Sequence, residues 1–131
     1  MLLSIKVPTN PESCVRYNTT RLERVQMSYD SEKLVAKLFE GTTSAHRDPI
    51  DVITKTFGIE VKAFNKATQA HKIRTTAEAV KRKIEFCATN KLKQKTILAV
   101  VNDFVELYEK AGFGNFRKEN MKYIGRYKKV R

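Results

Sequence analysis

One segment, residues 51–62, constrains the fold of this chain more than any other; it reads DVITKTFGIEVK. Apolar and polar residues alternate after its glycine, and the centre is short and polar, which is the pattern of a β-hairpin. A two-residue loop at 55–56 would send Val52, Ile59 and Val61 to one face of the hairpin. The segment therefore predicts two antiparallel strands with one face in a hydrophobic core.

The opposite face of this hairpin predicts a cation site. The same even loop places Asp51 opposite Glu60, with Lys62 two residues further along that face. Carboxylate and carbonyl oxygens are the ligands that Mg²⁺ prefers, so we expect Asp51, Glu60 and the backbone carbonyl of Val61 to hold Mg²⁺ or Mn²⁺. Lys62 would orient a water molecule or stabilise developing negative charge.

An acidic residue on the preceding helix could complete this site. We expect Glu32 in that role, with Asp30 and Glu40 as alternatives, and Asp48 competes with Asp51 for the hairpin position. A loop with an odd number of residues, or a bulge, would turn the hairpin aspartate to the other face. An exposed Glu-x-Lys pair is also a common feature of solvated strands, so the tripeptide alone indicates little.

The charge of the chain indicates a polyanionic partner. Its 131 residues suffice for one domain with a core, and the net charge of +12 produces a positive field that favours phosphate backbones. Cys14 and Cys87 lack the spacing of a zinc site, so we expect an intracellular, reducing setting: cytoplasmic, nucleoid-associated or viral. No apolar run is long enough to span a membrane, and we expect no membrane partner.

The remaining patterns predict an α/β fold with a mixed central sheet. We expect strands at 2–7 and 22–27, a helix at 31–39 ending before Gly41, and a short extended piece at 72–74. Thr75 is expected to cap a second helix, followed by a fully buried strand at 96–101, another at 104–108 and a basic helical tail at 116–127. We expect one domain, 1–131, with its core at about 22–110 and its basic tail at about 115–131.

These segments resemble the PD-(D/E)xK nuclease superfamily, and their layout is similar to that of archaeal Holliday-junction resolvases. Residues 49–51 stand for the P-D element and residues 60–62 for E-x-K. Residues 31–38 are similar to the family's acidic first helix, and residues 83–86 and 96–100 to its later helix and strand. The resemblance implies a restriction-endonuclease-like core, a Mg²⁺-dependent endonuclease that hydrolyses DNA, and a two-fold homodimer. Its catalytic residues here would be Asp51, Glu60, Lys62 and Glu32.

Several polar residues outside the hairpin are candidates for contact with nucleic acid, because basic clusters with few acids nearby suit phosphate binding. They are His46, Gln69, Lys72, Arg74, Lys81, Arg82, Lys83, Arg117, Lys118 and Lys122. Each could equally be a solvated surface residue. In the tail, Tyr123 and Tyr127 could stack on unpaired bases or form a helix face packed on the core.

Two other functional classes fit the same features. A non-catalytic nucleic-acid-binding module, such as a phage or mobile-element protein, could keep a nuclease fold as a scaffold. It would tolerate Asp51, Glu60 and Lys62 lying apart, whereas an enzyme requires them to converge. A metal-independent ribonuclease toxin would use His, Arg and Lys in place of a cation, and would resist EDTA.

Overall fold

A computed structural model describes residues 21–45, 47–65 and 72–129. Its elements in chain order are α1 (Arg21–Leu38), β1 (Thr42–Thr43), β2 (Val52–Ile53), β3 (Phe57–Asn65), β4 (Lys72–Ile73), α2 (Ala77–Thr89), β5 (Lys93–Val101), β6 (Phe104–Ala111), β7 (Phe116–Arg117), a 3₁₀ turn (Lys118–Asn120) and β8 (Lys122–Lys128). The strand expected at 2–7 lies outside the described residues.

The strands form a mixed six-stranded sheet in the order β1-β2-β3-β5-β6-β8. Strands β3 and β5 run parallel and are joined through α2, while the other neighbouring pairs are antiparallel. Strands β4 and β7 form a separate two-stranded ribbon. The chain is therefore an α/β protein with a mixed sheet, as the sequence predicts.

Helix α1 covers one face of the sheet. Its buried Leu34 and Val35 pack in one cluster with Ile59 and Val61 of β3 and with Ile97 of β5. These side chains come from every second residue of each strand, so burial of one apolar face sets the register of the whole sheet. The expected separation of core and polar residues in the 51–62 hairpin is confirmed.

Helix α2 lies on the opposite face, where a glycine lets it approach closely. A Cβ atom at Gly58 would lie 2.6 Å from the sulfur of Cys87, so any side chain at Gly58 would push the helix away. Because Glu60 follows Gly58 on the same face of β3, and Lys83 lies one turn before Cys87, this contact brings the carboxylate and the ammonium together.

The end of α1 is held against β2 by a second glycine. Glu40 adopts a left-handed conformation (φ 56°), and the N–H of Gly41 donates to the carbonyl of Ala36 at 2.8 Å. A Cβ at Gly41 would lie 2.5 Å from the carbonyl oxygen of Ile53. Gly41 thus ends the helix as expected and lets its last turn touch the hairpin.

Two sequence predictions of secondary structure were wrong. Residues 22–27 are the first part of α1 and not a strand, because no Gly or Pro interrupts the good helix formers that precede the expected start. Residues 116–127 form β7, the 3₁₀ turn and most of β8 and not a helix, because β8 pairs with the otherwise open edge of β6.

Smaller differences concern element ends. Thr76, not Thr75, caps α2; its hydroxyl accepts from the N–H of Ala79 at 3.1 Å. The strands expected at 96–101 and 104–108 exist and extend to the bounds of β5 and β6, and β5 is buried at its centre as expected. In the described part of the chain, no helix is both long and apolar enough to cross a membrane.

Candidate carboxylate and lysine site

The hairpin register brings Asp51 and Glu60 face to face. Val52 pairs with Ile59, and the N–H of Thr54 donates to the carbonyl of Phe57 at 2.9 Å, so the loop has the predicted two residues. Regular pairing ends at Val52, because the N–H of Asp51 donates to the carbonyl of Ile59 at 3.1 Å. The even loop is confirmed, and the carboxyl groups of Asp51 and Glu60 interact directly beyond the last regular pair.

The carboxylate of Asp51 closes the exposed edge of β3. Its Oδ2 accepts from the N–H of Val61 at 2.8 Å, where β2 has ended and no strand partner follows. In a strand, the N–H and C=O of one residue point to the same edge, so the carbonyl of Val61 also faces this side. The expected third oxygen ligand therefore lies on the edge that Asp51 occupies.

Glu60 is the centre of a buried charge cluster. Its side chain is only 7% exposed, and its two carboxylate oxygens are approached by two lysine ammonium groups. Lys62 Nζ lies 3.4 Å from Oε2 and Lys83 Nζ lies 3.8 Å from Oε1. The Lys62 side chain is 43% exposed, whereas that of Lys83 is 11% exposed, so one lysine reaches solvent and the other lies beneath the carboxylate.

The environment favours the neutral forms of both acids. Burial raises the pKa of Glu60 to about 7, the negative charge of Asp51 adds to this, and Lys62 and Lys83 oppose it. Burial also raises the pKa of Asp51, while the hydrogen bond from Val61 lowers it. The two carboxyl groups also interact with each other through a hydrogen bond, which raises the pKa of Glu60 and lowers the pKa of Asp51.

Glu32 is the helix acid that belongs to this cluster. Burial raises its pKa to about 7; the charge of Asp51 contributes further, and Lys62 opposes. Asp30, an alternative for this role, instead accepts from the amide of Gln26 at 2.9 Å, within its own helix. Glu32 therefore shares an electrostatic environment with the hairpin, and its role in a cation site stays a prediction.

Lys83 was assigned the wrong environment from the sequence. We expected it on the solvated side of α2, in contact with phosphate, but it is buried and faces Glu60. The buried side of the helix is formed by Lys83 and Cys87, with Val80 partly buried, whereas the neighbouring Ile84 is 39% exposed. A lysine is buried here because a carboxylate on β3 meets it.

The other candidates for nucleic-acid contact spread over several surfaces. Arg74, Lys81, Arg82, Arg117 and Lys122 are exposed, and Lys118 is half-buried. Arg74 and Arg117 line a groove of about 530 Å³ between the start of α2 and β7. Lys72 forms part of β4. His46 and Gln69 lie outside the described residues.

Glu32, Asp51 and Glu60 do not converge on one point. Across residues 21–45, 47–65 and 72–129, no three His, Cys, Asp or Glu side chains are close enough to hold a metal ion between them. No protein-family model, curated protein or solved structure matches the chain. A function for this protein therefore has to follow from the chemistry of these residues.

Proposed function

We propose that the protein is a metal-dependent endonuclease that hydrolyses DNA phosphodiester bonds. One observation carries this proposal: the carboxyl groups of Asp51 and Glu60 interact directly at the edge of β3, and the ammonium of Lys62 lies 3.4 Å from Glu60. Burial of two carboxylates is unfavourable for folding, and such groups with shifted pKa values are concentrated at functional sites. The net charge of +12 indicates a polyanion as the substrate.

The donor set suits a hard divalent cation. Asp51 and Glu60 would supply carboxylate oxygens, and Val61 a carbonyl oxygen at the same edge. The raised pKa of each acid reflects burial, and for Glu60 also the charge of its neighbour, both of which a cation would counteract. Mg²⁺ usually retains several water ligands, so two protein carboxylates suffice and three need not converge.

Each side chain has a distinct role in this proposal. When bound, Mg²⁺ or Mn²⁺ would neutralise charge on the phosphate and acidify a water molecule. Lys62 extends toward solvent and would donate to a non-bridging phosphate oxygen, where negative charge develops. Glu32, with its pKa near 7, would exchange a proton with water close to neutral pH.

The element order supports a restriction-endonuclease-like core and the resemblance to PD-(D/E)xK nucleases. A helix that carries Glu32 is followed by the hairpin with its acids, a crossover helix and a central parallel strand. A resolvase-like member would act as a homodimer, because two symmetric cuts require two active sites. Structure-selective cleavage of branched DNA is the corresponding substrate proposal.

Cleavage assays test this function directly. Supercoiled plasmid and a four-way DNA junction would each be incubated with the protein in Mg²⁺, in Mn²⁺ or in EDTA. We expect nicked or linear products only with a divalent cation, and the preferred DNA would identify the substrate structure. Cleavage of these DNAs that persists in EDTA would indicate a metal-independent mechanism and contradict the proposal.

A second candidate function is a non-catalytic nucleic-acid-binding module. The separation of Glu32 from the hairpin acids favours it, as does the pairing of Glu60 with two lysines, which satisfies the cluster without a cation. Tight DNA binding without cleavage in either metal would support this module and reject the nuclease.

A further inference from the structure

An aromatic and cationic strip runs along the outer part of the sheet, on the face that carries Glu60. Residues at even positions of β6 share this face, since Leu98, opposite Lys62 on β5, pairs with Tyr108. On β8, Tyr123 pairs with Tyr108. We define the strip by its members: Phe104, Tyr108, Lys110, Phe116, Lys118, Tyr123 and Arg126.

Two aromatic rings of the strip are presented to solvent, whereas Tyr108 packs partly against the buried Leu98 and Val100. Tyr123 is 50% exposed and Phe104 is 40% exposed, although both belong to regular strands. The rings of Tyr108 and Tyr123 lie 5.2 Å apart between centroids and are tilted by 57°. On the opposite face of the same strands, Val105 and Leu107 are fully packed in the core. The exposure of Phe104 and Tyr123 is therefore not a consequence of incomplete core packing.

Each of three rings has a cation near it. Arg126 lies 4.6 Å from the centroid of Phe104, Lys118 lies 5.4 Å from that of Tyr108, and Lys110 lies 5.6 Å from that of Phe116. A ring beside a cation offers a stacking surface and a partner for phosphate at the same place. The strip extends from Phe104 to Lys110, seven residues of β6 or about 20 Å, which is long enough for several nucleotides.

Few acids interrupt the strip. Glu106 lies within it, and the hydroxyl of Tyr108 hydrogen-bonds to that carboxylate. Glu119, in the 3₁₀ turn, is exposed nearby. Pairing of β8 with a second copy of the chain would bring Arg126 and Lys128 against like charges, which is unfavourable. The charge therefore favours an anionic partner with planar groups over a second copy.

We propose that this strip binds unpaired nucleotides by stacking their bases on Tyr123 and Phe104 while its cations contact their phosphates. The inference deepens the proposed function, on which its choice of a nucleic-acid partner rests. Lys62, Leu98, Tyr108 and Tyr123 form one row across four strands, so Tyr108 lies about 10 Å and Tyr123 about 14 Å from Lys62. A single-stranded arm held there would place its junction with a duplex near Glu60.

Binding measured in EDTA tests the strip apart from cleavage. Fluorescence anisotropy would compare a labelled oligothymidine of roughly twelve nucleotides with an abasic oligomer that has the same phosphates. We expect Tyr123→Ala to weaken oligothymidine binding roughly tenfold, since each stacked base contributes measurably, and to leave abasic binding nearly unchanged. Tyr123→Phe should bind as the unchanged protein does.

Tyr29 offers a matched control. It is 51% exposed, and Lys33 lies 4.6 Å from its ring, but it belongs to α1 on the other side of the sheet. Tyr29→Ala should bind oligothymidine normally. Equal binding of oligothymidine by Tyr123→Ala and the unchanged protein would overturn the proposed role of the strip, even if the unchanged protein shows metal-dependent cleavage. If Tyr123→Ala loses binding and the unchanged protein does not cleave DNA, the role of the strip is supported and only the nuclease proposal is rejected.

Discussion

Replacing Lys62 by Met is expected to reduce metal-dependent DNA cleavage by at least about a hundredfold, because the substitution removes the donor that would stabilise negative charge on the phosphate. Methionine retains most of the aliphatic length, so packing beside Glu60 changes little. Lys62 is half-exposed, and its pair with Glu60 is one of two, so the variant should fold. Single-turnover cleavage rates with circular dichroism as a folding check would measure the effect.

Lys55→Met is the matched control for this experiment. Lys55 lies on the exposed two-residue turn of the same hairpin, so its substitution removes the same charge at a distance from the carboxylates. We expect it to cleave DNA within about twofold of the unchanged protein, through the general loss of one positive charge. If both variants lost activity equally, Lys62 would contribute only to the overall field, and its proposed role would be wrong.

Replacing Lys83 by Met is expected to destabilise the metal-free protein in a pH-dependent way. At about pH 8 we expect a loss of roughly 2 kcal/mol, since removal of one partner leaves the buried charge of Glu60 with less compensation. At about pH 5 the loss should be much smaller, because Glu60 then carries a proton and needs no cation. Urea unfolding in EDTA at the two pH values would give both free energies.

The direction of this pH dependence of stability follows from the raised pKa of Glu60. In the folded protein this pKa is about 7, compared with an ordinary value of 4.5, so the folded state retains a proton that the unfolded state releases. The resulting stabilisation is fully present below about pH 4.5 and is lost as the pH rises through about 7. Lys83→Met raises the pKa of Glu60 further and enlarges this loss.

Lys81→Met, on the exposed side of α2, controls for the loss of a lysine from the helix. Its free energy of unfolding should remain within about 0.5 kcal/mol of the unchanged protein at both pH values. A destabilisation by Lys83→Met that is identical at both pH values would show that this lysine acts through packing, without electrostatic coupling to Glu60.

The hairpin was predictable because its sequence contains the whole constraint. Alternation specifies which residues are buried, and an even loop satisfies that pattern on both strands. Asp51 then reaches Glu60 from just beyond the last regular pair of the hairpin. The centre of β5 was predictable for the same reason, since five consecutive buried residues leave no polar face.

The errors arose where the decisive partner is distant in sequence. The first turns of α1 expose Leu22 and Val25, so they carry no amphipathic signal that separates a helix from a strand. Strand β8 forms because β6 offers it an edge, which a local pattern cannot reveal. Lys83 is buried because it meets Glu60 on the sheet face that α2 covers, although a lysine on a basic helix is normally solvated.

The proposed nuclease activity requires Asp51 and Glu60 to bind a divalent cation together. Titrating Mn²⁺ into the metal-free protein by calorimetry, in parallel with Glu60→Gln, tests this most directly, because glutamine retains the shape of the side chain and removes its charge. We expect one ion per chain in the unchanged protein, accompanied by proton release near pH 7, and at least about tenfold weaker binding in the variant. Equal binding by the two proteins, or no binding by either, would contradict the claim.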